Sequence, residues 1–262
     1  MTSRIQGLAI AATAAAIAIA APAAATSFVF NTTGNNTTVS SKVFSSTVAG
    51  TTLNVRVSAW QAVDKAGNTD LDDIQSASLG LWDGGLGVTG YLNGSSGSSE
   101  STAGNHHQID NIGNVDFIML QFDKAVSLTS IYRNVYDLEG VKGADDSDAA
   151  YWADTGKAIG TDWTAVYPLS GLDVSEKLWT EIAGNSSDGS AVLTGTVPTA
   201  SVWLVGASFL ATRNDGFKIS SLTVSYTPPA VPETATWAMM VMGFGAVGAG
   251  LRRRPRVAVT LA

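Results

Sequence analysis

The stretch Asp145-Asp146-Ser147-Asp148 puts three carboxylates into four residues. Hard cations such as Ca²⁺ collect about 6–8 oxygen ligands, and aspartates with neighbouring carbonyls supply them. The fixed glycine and closing glutamate of an EF-hand loop are absent here, so the cation reading is a structural calcium site of another kind, and a solvated acidic loop is the commoner explanation of such a run. A second polar group lies upstream, His106-His107-Gln108-Ile109-Asp110-Asn111, with Asp116 following. Asp110 and Asn111 can offer oxygens to the same ion, which makes Asp110, Asn111, Asp146 and Asp148 the expected ligand set. The alternative is a loop tied down locally, with Asp110 and Asn111 bonding to nearby backbone and His107 donating to a carbonyl. Adjacent histidines point to opposite faces of a strand, so His106 and His107 do not grip one ion together. Two histidines without a cysteine are also a poor zinc set.

Catalytic patterns are missing. There is no Gly-x-Ser-x-Gly elbow, no phosphate loop and no His-Glu-x-x-His. A glycosidase needs two carboxylates across a cleft, and spacing selects no pair from so many acids. Trp60, Trp82, Trp152, Trp163, Trp179 and Trp203 are numerous for this length. Exposed indoles could stack on sugar rings; the commoner use of such residues in a β domain is core packing.

The two ends carry addresses. Arg4, an apolar run from Leu8 to Ala21, and small residues at Ala23 and Ala25 make residues 1–25 a secretory signal peptide cleaved after Ala25. The other end reads Pro232-Glu233-Thr234, then Trp237-Ala238, an uncharged run to Leu251 with Gly243-Phe244-Gly245, and Arg252-Arg253-Arg254. As a helix this run is just under the length of a full membrane span, which takes about 17–25 residues. Trp237 suits the interface, and the arginines stay on the cytoplasmic side by the positive-inside rule.

This tail resembles the PEP-CTERM sorting signal of Gram-negative bacteria, in the variant Pro-Glu-Pro-x-x-Trp-Ala. Thr234 stands where the second proline is usual, and Val257 to Ala262 trail the basic cluster. The resemblance implies recognition by an exosortase, a membrane-embedded processing enzyme, with transient anchoring and then release to the cell surface or outside. A second resemblance covers Gly84 to Asp148. The order Gly85-Leu86-Gly87-Val88, His107-x-x-Asp110-Asn111, a hydrophobic strand and Asp146-Ser147-Asp148 is similar to a group of exosortase-dependent surface proteins with no established reaction. It makes His107 a motif residue.

The region 26–230 is then one domain, followed by the sorting signal with its transmembrane helix at 231–256 and a short tail at 257–262. The whole chain has 15 Lys+Arg, 22 Asp+Glu and a net charge of −7. Removing both ends leaves ten cations against 21 acids, a net −11. Nucleic acid is excluded as a partner, because phosphate binding needs cations. With no cysteine, no disulfide staples an exported domain.

The pattern between the ends is β. Leu53, Val55, Val57 and Ala59 alternate with Asn54, Arg56, Ser58 and Trp60. Val115 to Phe122 is apolar on both parities, which predicts a central strand covered on both faces. Val126 to Val135 follows a polar break and predicts its hairpin partner. Ser201–Leu210 and Lys218–Tyr226 predict a late pair around the turn signal Asp215-Gly216. Phe28–Phe30, Thr38–Val48, Ile74–Trp82, Thr161–Val166 and Leu178–Ile182 are weaker strand candidates. Asn93 to Ser101 is a flexible loop by composition, and Thr227-Pro228-Pro229-Ala230 a stiff spacer. Without helical periodicity, the expected fold is an all-β, two-sheet, jelly-roll-like sandwich. The function expected is non-enzymatic: a structural or adhesive surface protein associated with exopolysaccharide. A carbohydrate-binding module is the alternative, and a glycan hydrolase ranks third.

Overall fold

A computed structural model describes residues 23–63, 73–90, 107–137, 146–155, 163–165, 169, 179–210, 215–229 and 234–252. The leader up to residue 22, the 93–101 loop, His106, Asp145, Pro232, Glu233, Arg253 and Arg254 lie outside these residues. The chain divides into two units: Ala25–Thr227, and Met1–Ala24 together with Pro228–Ala262.

The first unit is all-β among its described residues. Its strands are β1 Thr26–Asn31, β2 Thr37–Val39, β3 Ser41–Val48, β4 Thr51–Val63, β5 Asp73–Trp82, β6 Gly85–Thr89, β7 Ile109–Asp110, β8 Val115–Val135, β9 Ala149–Asp154, β10 Thr180–Ile182, β11 Gly189–Val192, β12 Ala200–Ala207 and β13 Gly216–Tyr226. β3 and β4 show how the local sequence sets the pairing. Val48 faces Thr51 across a two-residue turn, Ala49-Gly50, in which both residues have positive φ (48° and 79°). Two positive φ values define the turn whose twist matches that of the flanking strands. Glycine adopts this conformation freely, whereas Ala49 does so at a steric cost.

β8 is the centre. Every residue from Val115 to Phe122 is buried: β4 and β12 pair along the two edges of this stretch, while Phe30 packs on Phe122 at one face and Trp179 on Phe117 at the other. The central, doubly covered strand expected from the sequence is present. The hairpin expected after it is not: the chain runs on past Phe122 to Val135, so that Val115–Val135 is one strand of 21 residues. The polar break is absorbed by distant partners. The Asp123 carboxylate accepts from the Asn54 backbone N–H (3.0 Å) and side-chain amide (2.8 Å), and Lys124 donates to the Thr52 carbonyl (2.9 Å). Hydrogen bonds from β4 thus hold the junction extended where a turn was expected.

Past the junction β8 changes neighbours. Residues 127–135 pair with β13, and 130–133 with β11 on the other side. β5 does the same: residues 73–77 pair with β4, and 78–82 with β6. The strands therefore fall into two hydrogen-bonded sets, joined through β5 and β8 into one 13-stranded network. One set holds β3, β4, β12, β9 and β10 with the first parts of β5 and β8. The other holds β1, β2, β6, β7, β11 and β13 with the remainders. Alternation fills the core: Phe28 and Phe30 of β1, Leu222 and Val224 of β13, and Leu128 and Ile131 of β8 are buried. The Phe30 and Phe122 rings meet edge to face at 5.9 Å.

Several expectations need correction. Residues 201–210 and 218–226 do not pair with each other. β12 lies between β8 and β9, while β13 lies between β8 and β1. Long-range partners outcompete the local hairpin. Trp163, Thr164 and Ala165 form a turn and not a strand, and β6, β9 and β11 arise where no strand was expected.

In the second unit the described element is α1, Thr234–Arg252, 19 residues with a basic last turn at Arg252. It contains Trp237, Ala238, Gly243, Phe244 and Gly245. Side chains from Ala238 onward are exposed, Val241 and Phe244 among them. Among the described residues, no helix is long and apolar enough to cross a membrane.

Candidate cation site

Three segments converge beside the end of β8. Asp146 and Asp215 form an isolated parallel bridge, in which the Gly216 N–H donates to the Asp146 carbonyl at 3.0 Å. Asn111, just after β7, locks onto Asp215: its backbone N–H donates to the Asp215 carbonyl (3.3 Å), and its side-chain carbonyl accepts from the Asp215 N–H (3.1 Å). The Asn111 amide nitrogen donates to the Asp215 carboxylate and to the Ser208 carbonyl (3.0 Å). The Ser208 N–H in turn donates to the Asp148 carbonyl at 3.1 Å.

These bonds bring carboxylate oxygens of Asp146, Asp148 and Asp215 within 4.8 Å of one another. Such a grouping could hold a metal ion. Some of the carboxylate capacity is already in use. Asp146 Oδ1 accepts from the Ser147 N–H (2.7 Å), Asp148 Oδ1 accepts from the Gly184 N–H, and Asp215 Oδ1 accepts from the Asp148 N–H (3.2 Å). Gly184 is required by space as well: a Cβ there would collide with the Ser147–Asp148 backbone.

Arg133 of β8 is the nearby positive charge. It is buried, and its guanidinium donates to the carbonyls of Ser147 and Ala183. Burial lowers its pKa, while Asp148, Asp146 and Asp215 act in the opposite direction. Burial pushes the Asp215 carboxyl up to about 7, with Asp148 adding to the rise and the Asn111 hydrogen bond opposing it. Three carboxylates beside one guanidinium leave two negative charges when all are ionised, which one divalent ion matches. Without an ion, a proton on Asp215 relieves part of the repulsion.

Of the residues expected at the site, Asp146 and Asp148 belong to the cluster. Asn111 touches it through Asp215. Asp110 does not join it: Asp110 Oδ1 accepts from the Ile112 N–H at 3.0 Å, closing a local turn. Asp215 was missed because Asp-Gly before a strand reads as a turn signal, and nothing local marks its contact with Asp146. His107 lies elsewhere, with Nε2 3.0 Å from Lys218 Nζ and its ring 4.3 Å from that of Trp82. Lys218 also sits 4.0 Å from the Tyr136 ring centroid, and burial lowers its pKa. Asp116 takes a third direction, accepting from Gln61 Nε2 at 2.8 Å. His107, Asp110, Asn111 and Asp116 therefore serve different neighbourhoods.

The tryptophans are largely structural. Trp203 is fully buried and donates to the Ala200 carbonyl (3.1 Å). Trp179 packs between Phe117 and Phe209, and Trp82 is buried. Trp60 and Trp152 are half-buried against the core. No family model, characterised protein or solved structure matches the chain.

Proposed function

We propose that this chain is a non-enzymatic, exported surface or matrix protein. It is delivered by the signal peptide at 1–25, sorted through its C-terminal segment by an exosortase, and retained at the cell surface in association with exopolysaccharide. The observation that carries the reading is the division of the chain into a β unit ending at Thr227 and a second unit with the helix Thr234–Arg252, which runs into the first of three arginines in the sequence. The sorting motif itself rests on residues Pro232, Glu233, Trp237 and Ala238, the glycine-phenylalanine-glycine step and the basic cluster. In this reading the two strand sets pack as the layers of a jelly-roll-like sandwich, and the helix holds the chain at the membrane only until it is processed. Mass spectrometry of the mature protein from its host tests the sorting. A C-terminus upstream of Trp237 supports it; recovery of intact Arg252 to Arg256 on the surface-exposed protein refutes it.

The metal in this reading is calcium, in a structural role. Carboxylate and carbonyl oxygens suit it better than softer ions, and a domain without cysteine has no disulfide to hold its loops. A calcium titration of metal-free protein followed by melting temperature tests this, and an unchanged melting temperature removes calcium from the account.

A further inference from the structure

The outer face of the second strand set is assembled from residues far apart in sequence. Register places Val29 of β1 beside Thr223 of β13, Thr223 beside Ser130 of β8, and Ser130 beside Val192 of β11. One step along, the row is Asn31, Ser221, Tyr132 and Ser190. In the other direction Ser27, Ser225 and Ser127 continue it. None of these side chains is buried, and none carries a charge. Val29 is 57% exposed, Val192 63% and Tyr132 37%. The inward-pointing neighbours Phe28, Leu222, Val224, Leu128 and Ala191 fix the orientation by strand alternation.

An uncharged face on a domain this acidic selects by what it lacks. Within these rows it offers no cation to a polyanion and no carboxylate to a basic protein; the carboxylate at its border, Asp188, accepts from the Val135 N–H at 2.7 Å. It offers rows of hydroxyls and one amide, interrupted by a phenol and two valines. Donors and acceptors that are both present and neutral, beside small apolar patches, complement the hydroxyls and C–H faces of an uncharged sugar polymer. Size argues against a second copy of the chain. Four strands about 4.8 Å apart and three rows about 7 Å apart cover roughly 300 Å², whereas a stable dimer buries about 800 Å² per partner.

We infer that this face, centred on Thr223, Ser130 and Tyr132, docks a neutral polysaccharide. The inference rests on the surface-protein reading and names its partner chemistry, but it is tested on a different part of the chain. Full-length protein in detergent is run on native gels containing hydroxyethylcellulose, dextran or the anionic polymer alginate. Retardation by at least one neutral polymer and not by alginate is expected. Thr223→Glu and Tyr132→Ala should each weaken that retardation at least fivefold with the melting temperature unchanged. Ser190→Glu, on the edge strand of the same face, replaces either variant if its melting temperature falls. The inference is overturned if neither neutral polymer retards the protein, if alginate does so equally, or if the substitutions leave retardation intact. A concentration-dependent dimer abolished by Thr223→Glu would also overturn it, by making the face a self-association surface. C-terminal processing, read by mass spectrometry, is unaffected by these substitutions, so the two readings fail separately.

Discussion

A proton and the proposed calcium ion would compete for Asp215. Its folded-state pKa of about 7 lies above the ordinary 3.8, so between roughly pH 4 and 7 the folded protein binds more protons than the unfolded chain. Linkage then makes the metal-free domain gain stability from this group as pH falls through 7, and lose it above. The component of the melting-temperature slope between pH 5.5 and 8 that disappears in Asp215→Asn measures it. Added calcium should raise the melting temperature more at pH 8 than at pH 5.5, because the proton must leave first. A hundredfold excess over Kd corresponds to about 2.7 kcal/mol. Asp146→Ala with Asp148→Ala should abolish the calcium response. Gly184→Ala should cost about 1–3 kcal/mol by forcing a methyl group into the Ser147–Asp148 backbone, and denaturant titration reads it directly. Half of this site was legible in the sequence: the acidic run at 145–148 stands out by composition. Asp215 and Arg133 were not legible, since a turn signal and a strand cation look the same whether or not the fold brings them to three carboxylates.

β8 shows where pattern reading works and where it stops. Apolar residues on both parities from Val115 to Phe122 mean cover on both faces, which Phe30 on Phe122 and Trp179 on Phe117 provide, with β4 and β12 paired along the edges. Asp123-Lys124 looks like a turn because the residues that satisfy it, Asn54 and Thr52, lie about seventy positions away. For the same reason the partners of β12 and β13 could not be read from their proximity in the chain. Phe117→Ala should cost about 3–5 kcal/mol, a large part of a domain stability of about 5–15 kcal/mol. Ile131→Ala, beyond the junction, should cost about 2–5 kcal/mol and shift the same single transition, since both strand sets share β8. Two separate unfolding transitions in denaturant would contradict that coupling. At the β3–β4 turn the change runs the other way. Asn tolerates the positive φ of position 49 better than Ala, so Ala49→Asn should add a few tenths of a kcal/mol, seen as a small rise in the denaturant midpoint.

At the scale of the molecule, the β unit should not need its C-terminal helix. A chain ending at Thr227 should melt at the same temperature as the full-length protein in detergent, and a fall of several degrees would show that the helix contributes to the fold. The first and last strands of that unit are neighbours: β1 pairs with β13 throughout its length, and Thr32 donates to the Ile219 carbonyl across 187 positions. Synthesis at about 5–20 residues per second separates those two strands by on the order of 10–40 s. Through that interval Phe28 and Phe30 have no partner strand to bury them, and the domain cannot close before β13 has emerged. The fold thus keeps its own N-terminal strand waiting, which leaves the nascent chain open for as long as it is being synthesised and makes it a client for any chaperone that binds extended apolar segments.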